Sequence, residues 1–221
     1  PGMNAAIHSI VMSAHDKDIK CFGFERDFNG LIDNEFRTLT NQNVKHISHL
    51  GGTILKSARC PRFLQKEFQQ KAMENAIQLE LDGLIVIGGD GSFKGANQLC
   101  TLMNIPVIGI PGTIDNDISG TDYSVGFHTA VQTATEAIDK IRDTADALER
   151  IFIVEVMGHK TGHLALEVGI TTEAEQIILP EMNLSAQQIT EKVTSAVLDY
   201  QEQSPHASFI LVIAENSCAE S

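Results

Sequence analysis

Two aspartates stand two residues apart in IPGTIDNDISGTDYSVGF, residues 110–127, directly after an apolar run. Asp115 and Asp117 flank a single Asn116, and Thr113 lies just upstream. Carboxylates this close repel unless a metal, a proton or a substrate hydroxyl separates or neutralises them. The stretch therefore predicts a loop in which the two aspartates accept a proton or bind a cation.

A glycine-rich turn precedes this loop in the sequence LIVIGGDGSFKGANQL. It consists of Gly88, Gly89, Asp90, Gly91 and Ser92, between an apolar run and a helix-like segment. Glycine lets the backbone approach a phosphate closely, and the start of a helix offers unpaired N–H donors. The turn is not a Walker loop, because no GK[ST] closes it, and its glycines read GxGxxxG rather than GxGxxG. A turn that only connects strand to helix is the alternative.

Asp90 decides between two ways of binding a nucleotide. A dinucleotide-binding fold places a ribose-binding acid about 20 residues beyond its glycines, where Asp115 lies. However, a PGT loop comes before that acid, and Asp90 inside the glycine turn would repel a pyrophosphate unless a cation lay between them. Phosphates, a carboxylate and Mg²⁺ fit together, and they favour phosphoryl transfer.

Phosphoryl transfer to an alcohol requires a carboxylate near the attacking hydroxyl and donors for the moving charge. Asp115 could accept the hydroxyl proton, Asp117 could orient the sugar or help to hold the metal, and Thr113 could donate to a phosphoryl oxygen. The alternative is that both aspartates are turn residues bonded to their own backbone.

Short apolar runs alternate with amphipathic segments along the chain. The runs are residues 19–24, 84–88, 106–110, 151–156 and 208–214. They are continuous rather than alternating, as in parallel strands covered on both faces. Helical stripes are predicted at Val131, Ala134, Ile138 and Ile141 and at Phe68, Ala72, Ala76 and Leu79. This pattern predicts an α/β fold with a doubly wound, mostly parallel sheet.

Bulk properties restrict the function classes. The 221 residues carry a net charge of -13, which argues against a nucleic-acid-binding surface. The four cysteines show no ligand-like spacing, the apolar runs are too short to cross a bilayer, and the first residues lack the pattern of a signal peptide. We therefore expect a cytoplasmic protein that binds neither nucleic acid nor membrane.

A charged segment, residues 142–150, predicts the domain boundary. We expect a nucleotide-binding α/β domain at residues 1–142 and part of a substrate-binding α/β domain at residues 143–221. The chain begins PGMN with no strand before its first helix-like segment and ends just after an apolar run. We therefore expect a fragment that lacks the first strand and the C-terminal part.

Three motifs in series resemble those of the ATP-dependent 6-phosphofructokinase family. They are GGDGS, PGTIDNDISGTDYSVGF and VEVMGHKTGH, in the order and at the spacings of that family. PGMNAAI resembles the first helix of the family, and GGTILKSAR resembles its nucleotide-side loop. The resemblance covers nearly the whole chain and implies the phosphofructokinase fold.

The resemblance implies roles for individual residues. Asp115 would be the catalytic base, with Thr113 and Asp117 as its companions at the sugar phosphate and metal. On the ATP side, Asp90 would be the Mg²⁺ ligand and the implied contacts are Arg59, Gly89, Gly91 and Ser92. On the fructose 6-phosphate side they are Met157, Gly158, His159 and Glu215. Arg150 would reach the substrate phosphate of a neighbouring subunit, which implies a homo-oligomer, usually a tetramer.

Two departures from the family pattern concern basic residues. His159 stands where the family usually has an arginine, and a neutral imidazole offers one donor instead of a charged fork. Lys160 could supply the lost charge. His8 and Met12 stand where allosteric members carry arginines, which argues against ADP or phosphoenolpyruvate binding at the usual effector site.

The predicted reaction is transfer of the ATP γ-phosphate to the 1-hydroxyl of fructose 6-phosphate. One alternative is a pyrophosphate-dependent phosphofructokinase, which tends to have an aspartate and a lysine at the positions of Gly91 and Gly112. The glycines leave room for adenosine phosphates. The other alternative is a catalytically weak binding or regulatory homologue.

Overall fold

The computed structural model describes residues 1–218 of the chain and divides it into two compact units. The first unit is Pro1–Gly112, and the second begins at Thr113. The predicted division between residues 142 and 143 falls inside a helix of the second unit, Phe127–Leu148. Residues 1–142 and 143–221 remain a prediction about functional domains, and the two compact units are described separately below.

The first unit alternates short strands with helices. In chain order its elements are α1 (Met3–His15), β1 (Cys21–Phe24), α2 (Phe28–Asp33), β2 (Phe36–Leu39), α3 (Asn41–Val44), a 3-10 helix (Pro61–Leu64), α4 (Lys66–Gln78), β3 (Leu84–Gly88), α5 (Asp90–Met103) and β4 (Val107–Pro111). Strands β3 and β4 pair in parallel, and β1 and β2 pair antiparallel. The predicted stripe of α4 is confirmed at Ala72 and Ala76, which are buried.

The second unit places helices on both faces of a three-stranded parallel sheet. Its elements are α6 (Phe127–Leu148), β5 (Ile151–Val156), α7 (His163–Thr171), β6 (Gln176–Ile178), a 3-10 helix (Pro180–Met182), α8 (Ala186–Gln203) and β7 (Phe209–Ala214). The strand order is β5-β7-β6. Helix α8 begins with a capping box in which Ser185 and Gln188 each accept the other's backbone N–H.

Strand β7 is packed on both faces, which explains why its sequence is a continuous apolar run. Ile210 and Val212 point to one face and belong to a core cluster with α6 and α7. Phe209 and Leu211 point to the other face and pack with residues of α8. Because successive side chains of a strand alternate between faces, a strand covered on both sides has to be apolar throughout. The parallel assignment is confirmed for this sheet.

The apolar run at residues 19–24 was wrongly expected to form a parallel strand. Only Cys21–Phe24 is a strand, and it forms an antiparallel pair with β2, which the sequence analysis did not predict. Ile19 lies outside the strand and its side chain is 58% exposed. The short strand β6 was missed as well. The fold class, α/β with mostly parallel sheets, is confirmed, and in the described residues the strands form three sheets.

Candidate active site

The loop after β4 is held together by its own side chains. The Thr113 hydroxyl donates to Asp115 Oδ2 at 3.2 Å and accepts the backbone N–H of Asp115 at 3.2 Å. Asn116 has a left-handed backbone (φ 53°), and its side-chain oxygen accepts the N–H of Ser124 at 2.9 Å. Ser124 is buried and donates its hydroxyl to the Thr113 carbonyl at 2.6 Å. We call residues 113–124 the aspartate loop.

The carboxylate of Asp115 is a stronger base than that of an ordinary aspartate. Partial burial raises the pKa of Asp115, and the hydrogen bond from Thr113 opposes this rise. The negative charges of Asp117 and Glu215 raise the pKa further, whereas the nearby imidazole of His159 lowers it. A carboxylate with a raised pKa binds a proton more firmly, which suits a group that accepts one from a substrate hydroxyl.

The turn after β5 contains three of the predicted sugar-site residues, Met157, Gly158 and His159. The backbone N–H groups of Gly158 and His159 both donate to Glu215 Oε1, at 3.0 and 2.6 Å. The side-chain amide of Asn216 donates to the His159 carbonyl at 2.8 Å. Glu215 is thus tied to a turn 57 and 56 residues earlier in the sequence.

Only glycine fits at position 158 of this turn. Gly158 has φ 154°, and a Cβ atom there would lie 2.5 Å from the carbonyl oxygen of Thr161. Thr161 closes the turn, because its N–H donates to the Gly158 carbonyl at 2.9 Å. The Thr161 hydroxyl lies 3.0 Å from the backbone oxygen of Asp115. This contact places the turn next to the aspartate loop.

His159 faces Asp117 across the same site. Nδ1 of His159 lies 3.9 Å from Asp117 Oδ2, and the pair is ionic only when the imidazole is protonated. The His159 side chain is 60% exposed, so it can reach a ligand. Met157 is also exposed. The structure therefore brings together Thr113, Asp115, Asp117, Met157, Gly158, His159 and Glu215.

Arg150 lies apart from this group. It comes immediately before β5, whereas Met157 comes immediately after it. Seven residue steps at about 3.3 Å each place Arg150 about 23 Å from Met157 along the strand. The side chain of Arg150 is exposed. The predicted role of Arg150 at the site of a neighbouring subunit stays a prediction.

In the first unit, the glycine turn forms the start of α5. Gly89 is the residue before the helix, and Asp90 lies in its first turn, where a negative charge is stabilised by the helix dipole. The Asp90 carboxylate pairs with Lys94 at 2.6 Å, and both side chains are largely exposed. A Cβ atom added at Gly91 would have no neighbour within 4 Å. The turn is therefore open at its surface.

Ser92 and Arg59 complete the predicted nucleotide contacts. Ser92 packs under the strand end, since a Cβ at Gly88 would lie 2.6 Å from its hydroxyl oxygen. Arg59 is exposed in the loop before the first 3-10 helix, and its carbonyl accepts a weak hydrogen bond from Asn29 at 3.4 Å.

The donor set suits magnesium bound together with phosphate. Residues 1–218 contain no group of three or more histidine, cysteine or acidic side chains that could hold a metal ion by itself. Mg²⁺ is commonly bound by one or two carboxylates plus substrate phosphates rather than by an all-protein cage. The exposed Asp90 carboxylate beside the open Gly91 fits that mode.

Comparison with known proteins identifies the family. The family model described as Phosphofructokinase matches residues 1–221. The chain belongs to the phosphofructokinase family. It is 44% identical over 218 residues to the ATP-dependent 6-phosphofructokinase of Aquifex aeolicus and 46% identical over 215 residues to that of Streptococcus thermophilus. These alignments cover 99% and 97% of this chain and 66% and 62% of the two relatives.

Solved phosphofructokinase structures share the fold. The Saccharomyces cerevisiae phosphofructokinase matches with a TM-score of 0.88 at 28% identity, over 99% of this chain and 32% of the other. The Pichia pastoris phosphofructokinase in the T-state matches with a TM-score of 0.89 at 28% identity, over 100% of this chain and 26% of the other. Within residues 1–218, no helix has the length and apolar character needed to cross a membrane.

Four residues that hold the site in shape were not predicted from the sequence. Ser124, Thr161 and Asn216 donate to backbone carbonyls of the predicted site residues Thr113, Asp115 and His159, and Asn116 accepts the backbone N–H of Ser124. Asn116 could have been found, because asparagine readily adopts the left-handed conformation in turns. The others form contacts across 11, 46 and 57 residues, and no local pattern signals those.

Proposed function

We propose that this chain carries the phosphoryl-transfer site of an ATP-dependent 6-phosphofructokinase of glycolysis. The reaction transfers the γ-phosphate of Mg-ATP to the 1-hydroxyl of fructose 6-phosphate and gives ADP and fructose 1,6-bisphosphate. The observation that carries the proposal is the Asp115 carboxylate, whose pKa is raised and whose position is fixed by Thr113. Relatives at 44–46% identity bear the name of this enzyme.

In the proposed mechanism Asp115 accepts the proton of the 1-hydroxyl as the oxygen forms its bond to the γ-phosphorus. The bond from that phosphorus to the bridging oxygen breaks, and ADP leaves with the electron pair. Here the Thr113 hydroxyl points its hydrogen at Asp115. Because a hydroxyl rotates freely, Thr113 can redirect its hydrogen to a phosphoryl oxygen when the substrate arrives.

The other site residues would bind and orient the two substrates. Glu215 uses Oε1 to hold the turn, which leaves Oε2 for a sugar hydroxyl. Asp90 would hold Mg²⁺, which neutralises charge on the transferring phosphate when it is bound. The N–H groups at the start of α5 would donate to ATP phosphates, with Arg59, Gly89, Gly91 and Ser92 as the further contacts.

Oligomerisation is part of the proposal. Arg150 is exposed at the opposite end of β5 from the group around Asp115, as expected for a residue that serves the site of another subunit. We propose a homotetramer in the cytoplasm.

The packing around Gly112 favours ATP over pyrophosphate. A Cβ atom at Gly112 would lie 2.9 Å from Cγ2 of Ile87, so the lysine of the pyrophosphate-dependent branch would have to displace that side chain. The pyrophosphate-dependent structures from Marinobacter aquaeolei and Nitrosospira multiformis are 22% and 17% identical to this chain and share its fold. A catalytically weak homologue remains the second alternative, because His159 replaces the family arginine.

A coupled assay tests the proposal directly. Purified protein is supplied with fructose 6-phosphate and either Mg-ATP or Mg-pyrophosphate, and formation of fructose 1,6-bisphosphate is followed. We expect turnover with Mg-ATP that is lost in Asp115→Asn. Turnover with pyrophosphate alone would replace the ATP assignment, and tight sugar-phosphate binding without turnover would support the weak homologue.

A further inference from the structure

Thr161 touches both parts of the sugar site. It lies half-buried in the turn between β5 and α7, with its hydroxyl oxygen 3.0 Å from the Asp115 carbonyl and 3.1 Å from the Gly158 carbonyl. Asp115 is 46 residues away in the sequence. Neither the motifs nor the proposed mechanism uses this hydroxyl.

The hydroxyl has a single hydrogen, and the geometry indicates where it goes. The Gly158 carbonyl already accepts the backbone N–H of Thr161 at 2.9 Å. A second donor adds little to a carbonyl that already has one, whereas an unpaired carbonyl in a half-buried site costs free energy. The hydrogen is therefore best placed on Asp115 O, and the hydroxyl joins the aspartate loop to the turn.

The turn itself is a firm support. Glu215 accepts the N–H groups of Gly158 and His159 on one carboxylate oxygen, and charge-assisted bonds of this kind are about twice as strong as neutral ones. Since Thr161 closes the same turn, its hydroxyl transmits that rigidity to the backbone of Asp115. Thr113 meanwhile holds the Asp115 side chain. The backbone and the carboxylate of Asp115 are thus held by different residues.

We propose that Thr161 is a positioning residue for Asp115, fixing the backbone from which the proton-accepting carboxylate extends. The proposal rests on the proposed function, in which Asp115 accepts the substrate proton. A base displaced from hydrogen-bond reach of its substrate loses rate rather than affinity, because substrate contacts elsewhere are unchanged. Loss of the hydroxyl should therefore lower kcat and leave KM nearly unchanged.

Three substitutions separate the hydroxyl from the rest of the side chain. Thr161→Val keeps the branched shape and removes the hydroxyl, whereas Thr161→Ser keeps the hydroxyl and removes a methyl group. Thr190→Val is the matched control, since the Thr190 hydroxyl donates to the Ala186 carbonyl at 2.9 Å within the exposed face of α8. Thermal midpoints of all three establish that they are folded.

Amide hydrogen exchange at residues 113–118 tests the contact without any need for turnover. We expect exchange about fivefold to tenfold faster in Thr161→Val, the size expected from one lost hydrogen bond. Thr161→Ser and Thr190→Val should exchange like the unmodified chain. Unchanged exchange in Thr161→Val, or equal acceleration in Thr161→Ser, would overturn the proposal.

Steady-state kinetics with fructose 6-phosphate and Mg-ATP test its catalytic consequence. We expect Thr161→Val to lower kcat about tenfold with KM for fructose 6-phosphate within about twofold, and Thr161→Ser to restore kcat. A rise in KM with kcat unchanged would refute the positioning role. If the unmodified chain shows no turnover but Thr161→Val still accelerates exchange, the proposed function fails while the hold of Thr161 on the loop stands.

Discussion

The aspartate loop and the glycine turn differ in how much of their hydrogen-bonding capacity is used. In the aspartate loop, side chains of Thr113, Asn116 and Ser124 bond to neighbouring groups, and Ser124 is buried beneath them. In the glycine turn, the Asp90 side chain forms an exposed ion pair with Lys94, and the space around Gly91 is open.

The difference fits the two roles proposed for these segments, proton acceptance in the aspartate loop and phosphate binding in the glycine turn. A proton acceptor has to be held within about 0.5 Å of the position from which it can hydrogen-bond to the substrate hydroxyl, which requires a loop that is fixed in advance. A turn that binds phosphate has to keep its N–H groups unpaired until the ligand supplies the acceptors. Substitutions in the aspartate loop should therefore change kcat, and substitutions in the glycine turn should change the choice of nucleotide.

The largest effect is expected from Asp115→Asn, which removes the base of the fixed loop. The kcat should fall by ~10²-fold or more, because an amide cannot accept the substrate proton. Asp122→Asn, an exposed aspartate in the same loop, is the control and should leave kcat unchanged. Near-normal kcat in Asp115→Asn would remove this residue from the mechanism.

The same substitution should raise thermal stability near neutral pH. The pKa of Asp115 is raised in the folded state. The free energy of unfolding therefore falls as the pH rises from the unfolded-state pKa through the folded-state pKa of this group. Asparagine avoids this fall. The gain in thermal midpoint over the unmodified chain should therefore be largest near neutral pH and vanish at acid pH, where Asp115 is protonated in both folded and unfolded states.

The next largest effect concerns the open turn. Gly91→Asp combined with Gly112→Lys should lower kcat/KM for ATP by ~10-fold, because it fills the adenosine side and adds a cation at the phosphates. Parallel assays with ATP and pyrophosphate measure the change. If the unmodified protein already prefers pyrophosphate, the assignment is wrong.

Alanine at position 91 or 112 tests the effect of added volume without added charge. Gly91→Ala should leave the thermal midpoint nearly unchanged, because a Cβ atom there has no neighbour within 4 Å. Gly112→Ala places a Cβ 2.9 Å from Ile87 and should cost ~1–3 kcal/mol of stability, as overpacking does. Equal thermal midpoints for the two variants would contradict the packing described here.

A smaller effect is expected at His159, on the exposed edge of the fixed site. His159→Arg should raise kcat several-fold by adding a fixed charge where negative charge develops, and more so in a Lys160→Ala background. The thermal midpoint should change little, because Glu215 and Asn216 hold the turn through backbone atoms of this residue. Unchanged kcat in both backgrounds would show that position 159 does not contact the phosphate.

The smallest effect is a displaced pH profile in Thr113→Val. The Thr113 hydroxyl stabilises the charged form of Asp115, so its removal should raise the pKa of Asp115 further. Because the base has to be ionised, the acid limb of kcat/KM should move to higher pH. A limb that moves to lower pH, or stays in place, would contradict the hydrogen bond as the cause. Serine at 113 keeps the hydroxyl and should leave the limb in place.

The sequence predicted the strands that are continuous apolar runs. The runs at residues 84–88 and 151–156 coincide with β3 and β5. The expected cover on both faces is wrong for these two strands, because Ile85 and Ile153 are exposed. The run at residues 19–24 has the same composition but forms an antiparallel pair with β2. Pairing partners depend on tertiary contacts, and composition alone does not contain them.

The candidate site was predictable where local spacing carries the chemistry. Asp115, Asp117 and the glycine turn were found by residue type and position next to a strand. Glu215 entered only through the family resemblance, and its grip on the N–H groups of Gly158 and His159 is a contact between distant segments. Thr161 was missed for the same reason. Local spacing therefore predicts groups that lie close together in the sequence, whereas contacts between distant segments leave no local pattern.

The way Glu215 accepts the backbone N–H groups of Gly158 and His159 also has a consequence for substitutions at position 159. Glu215 holds the turn through N–H groups that every residue except proline possesses, so the strength of these bonds does not depend on the side chain at 159. The backbone there is left-handed (φ 55°), a conformation in which asparagine, aspartate and histidine are enriched and β-branched residues are outliers. The side chain proposed to face the phosphate can therefore be exchanged for another that tolerates this conformation without loss of the two bonds that shape the turn.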